Sequence, residues 1–180
     1  VSRWIDGVLE KNELIDQDSN LRALVFWGHA PNSQSRGKEM VEAMKKLDVL
    51  AVIDPYPSAT AAMAAMVRKD NVYLLPACTQ LETSGSVTAS NRSLQWRERV
   101  IRPLFESQTD HAIMYAFAKK FGFGPQFVKN YEIWKPDGDA KFEEPTPESV
   151  LKEINRGMWT IGYTGQSPER LKLHMKHMNT

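Results

Sequence analysis

Two apolar segments separated by a helix-patterned stretch constrain the fold of this chain more than any other feature of its sequence. The first segment ends at Gly28 and the second at Asp54, 26 positions later, and a short polar turn follows each one. Between them, apolar residues recur at spacings of three and four, at Met40, Val41, Met44 and Leu47. This order predicts a βαβ unit, in which a helix connects two parallel strands.

The same alternation continues along the chain and predicts an α/β fold. Apolar runs predict strands, the first of them parallel and buried on both faces, at Leu21–Trp27, Val49–Ile53 and Val72–Leu75, with an edge strand at Leu94–Ile101. Capping residues predict helices that begin near Ser2, Gly37, Ser58 or Thr60, Thr109 or Asp110, Thr146 and Ser167. The Gly- and Ser-containing stretch Thr83–Arg92 is expected to be a loop. We therefore expect a Rossmann-like, mostly parallel sheet flanked by helices.

A change of sequence texture after Gly124 indicates the domain organisation. Residues 1–124 carry the strand–helix alternation and are predicted to form one α/β domain. Residues 125–180 contain the charged, Gly- and Pro-containing segment Lys135–Pro145, followed by two helix patterns. We expect this second part to be a loop plus a helical extension, packed on the first domain or leading to a next one.

Composition excludes several classes of protein. The 180 residues are 42% hydrophobic and 25% charged, and a net charge of +1 provides no attraction to nucleic acid. No apolar run reaches the roughly 18–20 residues that span a bilayer, so no direct membrane insertion is expected. The single cysteine, Cys78, excludes a disulfide within the chain and a cysteine-ligated zinc or iron–sulfur site built from it. Because the chain begins at Val1, it is expected to be an internal piece of a longer protein.

The loop after the first apolar segment is a candidate phosphate site. Residues 28–37 run from a strand end directly into a helix, where free backbone N–H groups and the helix dipole favour an anion. Asp54, at the end of the second segment, has the position of the acid that accepts hydrogen bonds from ribose hydroxyls in dinucleotide-binding folds. The chain has neither GxGxxG nor GxxxxGK[ST], so an ordinary βα turn and an Asp that opens a turn remain equally open.

Other chemistry-bearing residues favour structural roles. Cys78 follows a predicted strand end, but no His lies near it in the sequence, so a small buried thiol is expected rather than a nucleophile. His174 and His177 stand three apart on a predicted helix, and a solvated helix end is favoured over a metal site because no matching carboxylates accompany them. No residue of the chain is assigned a catalytic or metal-ligating role.

Four stretches together resemble one protein family. They are FWGHAPNSQSRG, VIDPYPSATAAM, VYLLPACTQLETSGSVTASNRSLQWRERVI and INRGMWTIGYTGQSPERLKLHM. In this combination they resemble the catalytic subunit of molybdenum- or tungsten-dependent formate dehydrogenases, within the bis-molybdopterin-guanine-dinucleotide family that also contains dimethyl sulfoxide reductase. The resemblance covers nearly the whole chain and is weakest over Gly124–Glu144.

The resemblance implies that the chain binds one molybdopterin guanine dinucleotide of a molybdenum or tungsten cofactor. The residues expected on the pyrophosphate side are Gly28, His29, Ala30, Asn32 and Gln34. The residues expected at the guanosine are Ile53, Asp54 and Pro55, with Ser58 and Thr60 close enough to join them. A second patterned loop of the family is matched, with no role assigned, by Glu82, Gly85, Ser90, Asn91 and Arg92.

The resemblance also implies what this segment lacks. The family's cysteine or selenocysteine metal ligand, the histidine beside it and an iron–sulfur cluster belong upstream, so the segment alone is expected to be inactive. Its expected partners are the remainder of the catalytic subunit and electron-transfer subunits with iron–sulfur or flavin centres. The expected compartment is the cytoplasm, with the periplasm as the alternative. The alternative function is a freestanding module that binds a guanine nucleotide or a pterin dinucleotide without redox chemistry.

Overall fold

The computed structural model describes residues 3–10, 16–29, 35–135, 142–157 and 165–177. The chain divides into two units, Val1–Ala77 and Cys78–Thr180. The boundary predicted near Gly124 concerned the end of the cofactor-binding domain, and it stays a prediction. None of the described helices is long and apolar enough to cross a membrane.

The first unit alternates helices with parallel strands. In chain order its elements are α1 (Arg3–Leu9), β1 (Ala23–Trp27), α2 (Gly37–Lys46), β2 (Val49–Asp54), α3 (Ala59–Val67) and β3 (Val72–Pro76). The strands form a parallel sheet in the order β1-β2-β3, with Trp27 opposite Ile53 and Asp54 opposite Pro76. The predicted α/β fold with a parallel sheet flanked by helices is therefore confirmed, and the carboxyl ends of all three strands meet at one edge.

An apolar core joins the three helices to one face of this sheet. Of the apolar stripe predicted for α2, Met40, Met44 and Leu47 lie in this core, each at most 2% exposed. Ala43 joins them, whereas Val41 is only half-buried. The α3 helix begins where Ser58 Oγ accepts the N–H of Ala61 at 3.4 Å. Its small buried residues, Ala61 and Ala64, allow the helix to pack closely.

The prediction that the first strand is buried on both faces is wrong. The core formed with the helices includes the side chains of Leu24 and Phe26 on one face of β1. On the opposite face Val25 is 47% exposed, and Tyr73, in register with it two strands away, is 51% exposed. Because Ala23–Trp27 is apolar throughout, its composition could not show that one of its faces lacks a cover.

The second unit contains short hairpins and helices. Its elements are β4 (Gly85–Thr88), β5 (Leu94–Arg97), α4 (Asp110–Lys120), α5 (Gly124–Phe127), β6 (Ile133–Trp134), β7 (Glu144–Pro145), α6 (Pro147–Gly157) and α7 (Pro168–Lys176). Antiparallel pairing joins β4 to β5 and β6 to β7. A small core is formed by Trp96, Leu151 and Leu171.

The prediction that Thr83–Arg92 is entirely loop is wrong, because it contains β4. The backbone of β4 pairs with β5 from Gly85 opposite Arg97 to Thr88 opposite Leu94. The turn between them is closed by the N–H of Ala89, which donates to the carbonyl of Ser93 at 2.9 Å. Main-chain pairing of this kind needs no apolar alternation, so the polar composition hid the strand. The predicted edge strand is present as β5, but it ends at Arg97 rather than at Ile101.

Candidate functional site

The carboxyl edge of the parallel sheet brings together residues from both predicted turns. The N–H of Gly28 donates to the carbonyl of Ile53 at 3.0 Å, and the N–H of Ala77 donates to the carbonyl of Asp54 at 3.2 Å. The chain segments that leave β1 and β3 are thus both bonded to the end of β2. This is the edge at which open α/β sheets bind their ligands.

Gly28 provides an open position at this edge. Its backbone has a φ of +55°, in the left-handed region that favours glycine. A Cβ atom placed on Gly28 would meet no atom within 4 Å, so space beside its backbone is open. A phosphate group could therefore approach the main chain here more closely than at a residue with a side chain.

Asp54 is half-buried and forms a turn with the residues that follow it. Its Oδ1 atom accepts the N–H of Tyr56 at 3.1 Å, which orients the carboxylate. No other described residue donates a hydrogen bond to Oδ2, which leaves this atom as an acceptor for a ligand. The sequence predicts this turn from the DPYP segment, as the alternative to a ribose-binding acid, and the structure shows that Asp54 does form it.

The other predicted site residues have different surroundings. His29 and Pro55 are exposed beside the strand ends, and Ser58 is half-buried with its hydroxyl used as the α3 cap. Ile53 and Thr60 are 1% and 0% exposed, so either residue could contact a ligand only after a rearrangement. Three predicted residues lie outside the described part of the chain: Ala30, Asn32 and Gln34. The contacts of all these residues with a cofactor stay predictions.

An ion-paired cluster missed by the sequence analysis holds the start of α2. Arg36 occupies the N-cap position, and its guanidinium donates to the two carboxylate oxygens of Asp6 at 2.9 and 2.5 Å. A further bond joins Arg36 to Glu39, and the bonds to Asp6 and Glu39 raise the pKa of Arg36 above its usual range. Asp6 lies on α1 and is 4% exposed, so the cluster fixes α1 to the end of the candidate phosphate loop. The one sequence signal for this ion pair is Asp6 itself, an acid that interrupts the apolar pattern of α1.

Cys78 is a buried thiol, as expected. It is 6% exposed, and its Sγ atom lies 3.7 Å from Ser107 Oγ. Burial raises the pKa of the Cys78 thiol to about 11, an effect larger than the opposite one of the hydrogen bond to Ser107. Thiolate is therefore scarce at neutral pH, which argues against a nucleophile. The described residues also contain no group of three or more His, Cys, Asp or Glu that could hold a metal ion.

A parallel sheet with an open glycine and an acid at its carboxyl edge defines a class, that of α/β cofactor-binding domains. A family model described as molybdopterin oxidoreductase matches residues 6–120. The chain therefore belongs to the molybdopterin oxidoreductase family. The match contains the whole described sheet edge with Gly28 and Asp54.

Individual relatives agree with this family. The chain is 30% identical over 176 residues to a trimethylamine-N-oxide reductase of Vibrio cholerae, an alignment that covers 85% of this chain and 20% of that protein. It is 32% identical over 167 residues to the F420-dependent formate dehydrogenase subunit alpha of Methanocaldococcus jannaschii, covering 92% of this chain and 21% of the relative. The fold is similar to that of acetylene hydratase from Pelobacter acetylenicus, with a TM-score of 0.59, 16% identity and coverage of 94% and 19% of the two chains. The chain thus spans about a fifth of the length of these proteins.

Proposed function

We propose that this chain binds the guanosine and pyrophosphate of a molybdopterin guanine dinucleotide as part of a molybdenum- or tungsten-dependent oxidoreductase. The observation that carries the proposal is the meeting of Gly28 and Asp54 at one sheet edge, within the part matched by the family model. When bound, such a cofactor supplies the metal at which electrons are exchanged with a substrate. Residues upstream and electron-transfer subunits complete the enzyme in this proposal.

The residues present fit the nucleotide end of such a cofactor. The open side of Gly28 admits a pyrophosphate close to the main chain at the end of β1. The free Oδ2 of Asp54 accepts from hydroxyl or amino groups, which the ribose and the guanine both carry. The bond from Tyr56 holds the carboxylate in place before the ligand arrives.

We further propose that the substrate of the intact enzyme is formate. The relatives named as formate dehydrogenases align with 91–92% of this chain, whereas those named as trimethylamine-N-oxide reductases align with 80–85% of it. Reduction of trimethylamine N-oxide is the competing activity, because a relative with that name has a similar identity, 30% over 176 aligned residues.

Calorimetric titration of the chain with GDP tests the nucleotide site. We expect saturable binding by the wild type and a loss of about tenfold or more in affinity for Asp54→Ala, because an anionic acceptor for the ribose or base is removed. Asp54→Asn should fall between the two, since it keeps one oxygen acceptor without the charge.

Asp48→Ala is the matched control for this titration. Asp48 precedes β2 at the opposite end of the strand and pairs with Arg22 on the surface, so its loss should leave GDP affinity unchanged. Equal affinity of the wild type and Asp54→Ala for GDP would contradict the placement of the guanosine at this sheet edge. Absence of binding by the wild-type chain would refute the proposal that this edge suffices to hold the nucleotide.

A further inference from the structure

A cavity of about 300 Å³ lies in the second unit and shares no residue with the candidate nucleotide site. It is lined by the segment after β5, the start of α4 and the β6–β7 pair. Aromatic and basic side chains form much of its lining: Arg99, Arg102, Phe105, Trp134 and Phe142. Polar groups at Ser107, Gln108, Thr109 and Glu144 line the remainder. Its volume is at the lower end of the range found for small-molecule sites.

Two arginines of this cavity, Arg99 and Arg102, have guanidinium groups whose hydrogen-bonding capacity is unused within the described residues. The Arg99 guanidinium lies over the Trp134 ring, 5.8 Å from its centroid. Neither the Arg99 nor the Arg102 guanidinium has a hydrogen bond or an ion pair with another residue in the described part of the chain. Guanidinium groups bind carboxylates and phosphates through paired hydrogen bonds, so both remain available for an anion.

Phe105 presents an apolar ring at the same cavity. It is 98% exposed and has a φ of +54°, which is costly for a bulky residue. Buried Glu82 fixes the segment that carries it, because Glu82 Oε1 accepts the N–H of Leu104 at 2.6 Å and the hydroxyl of Ser107 at 3.2 Å. The fold therefore holds a large apolar ring in solvent at the same cavity as Arg99 and Arg102, an arrangement that folding alone does not require.

Glu144 is the carboxyl group of the cavity, and its surroundings reduce its repulsion of an anion. Thr109 Oγ1 donates a hydrogen bond to Glu144 Oε2. Burial raises the pKa of Glu144, against the opposite effects of this bond and of the charge on Arg99. The carboxyl is consequently nearer to its neutral form than an exposed glutamate.

We propose that this cavity binds a small planar aromatic anion, a ring that carries a phosphate or a carboxylate. The anionic group pairs with Arg99 and Arg102, and the ring packs against Phe105 and Phe142. The site shares no residue with the sheet edge that carries Gly28 and Asp54, so it goes beyond the proposed nucleotide site. In this proposal, Glu82 of the second patterned loop holds Phe105 in position through its bonds to Leu104 and Ser107.

Titration of the chain with phenyl phosphate and with benzoate tests this site. Phenyl phosphate and benzoate represent the two anionic groups on a ring, and inorganic phosphate is the probe without a ring. We expect saturable binding of at least one aromatic probe, about tenfold tighter than that of inorganic phosphate, because only the aromatic probes contact the apolar rim. The tighter of the two aromatic probes identifies the anionic group.

Variants separate a specific site from surface charge. Arg99→Gln should weaken the binding of the aromatic probe about tenfold, whereas Arg156→Gln, which alters an exposed α6 arginine paired with Glu153, should leave it unchanged. Phe105→Asn, a residue that tolerates the left-handed conformation, should remove the preference for a ring.

Asp54→Ala distinguishes the two sites, since it should leave the binding of aromatic probes intact while it weakens that of GDP. Absence of binding by the wild type, or equal losses in Arg99→Gln and Arg156→Gln, would overturn the proposal whatever the result with GDP.

Discussion

At the scale of single residues, Glu82 shows how a buried charge can organise a segment. It is 3% exposed, and its carboxylate accepts hydrogen bonds from the N–H of Thr79 at 2.7 Å, the N–H of Leu104 at 2.6 Å and the hydroxyl of Ser107 at 3.2 Å. Burial raises the pKa of Glu82, whereas the hydrogen bonds from Thr79, Leu104 and Ser107 lower it. The effect of the bonds is together the larger one, so the pKa lies below its usual value. The folded state therefore stabilises the ionised carboxylate.

Glu82→Gln is expected to lower the free energy of unfolding by about 2 kcal/mol at pH 7, because charge-assisted bonds to buried donors are lost. A carboxyl with a lowered folded-state pKa contributes stability above its unfolded pKa of about 4.3 and loses it as the pH falls through the folded pKa. Urea unfolding of wild type and variant between pH 7 and pH 3 measures this difference. The gap should narrow below about pH 5. Glu42→Gln, which alters an exposed pair with Lys45, should show no such gap.

A difference between the wild type and Glu82→Gln that stays constant with pH would contradict this account. It would mean that the ionisation of Glu82 does not cause the difference in stability, and that the amide group of Gln fails to replace the hydrogen bonds for another reason. The same measurement also tests how Phe105 is held in its conformation, because Glu82 accepts a hydrogen bond from the N–H of the adjacent Leu104.

At the scale of elements, local signals predicted all the described helices except the short α5. Contacts between distant segments determined the features that were missed. The caps expected at Ser58, Thr109 and Ser167 are present, since each hydroxyl accepts an N–H three residues along the chain. The strand β4 was missed because its pairing with β5 depends on the backbone of another segment. The exposed face of β1 was missed because no local pattern shows which elements cover a sheet.

The candidate site was also predictable only in part, where a general rule or a local pattern applied. Gly28 and Asp54 were found because a general rule places ligands at the carboxyl ends of parallel strands. The contact between Asp6 and Arg36 was not found, because 30 positions separate the two residues and nothing in either segment indicates the other.

The cluster that joins α1 to α2 can be tested by stability. We expect Asp6→Asn to lower the melting temperature more than Asp48→Asn does, because it leaves the charged Arg36 without its buried partner. Asp48 is the matched control, since its pair with Arg22 is exposed and contributes at most about 1 kcal/mol. Thermal unfolding followed by circular dichroism measures both variants, and equal losses would show that the buried pair adds nothing beyond a surface pair.

At the scale of the whole molecule, the chain spans about a fifth of the length of its relatives. We therefore expect it to supply only part of what the proposed enzyme needs. The proposed nucleotide site lies in the first unit, and the described residues place no metal-binding cluster beside it. On the proposed function, the contribution of this chain to the enzyme is the retention of the cofactor. A defect at Asp54 should appear as lost cofactor rather than as a slower chemical step.

A longer catalytic subunit that carries this chain should therefore show a distinctive response to Asp54→Ala. We expect its molybdenum or tungsten content, measured by mass spectrometry, to fall in the same proportion as its activity, so that turnover per bound metal stays constant. Assays with an artificial electron carrier should show formate oxidation exceeding trimethylamine-N-oxide reduction, and Asp48→Ala should alter neither activity. Full metal content with reduced turnover would contradict the retention role of Asp54. Trimethylamine-N-oxide reduction without formate oxidation would contradict the proposed substrate while leaving the cofactor site intact.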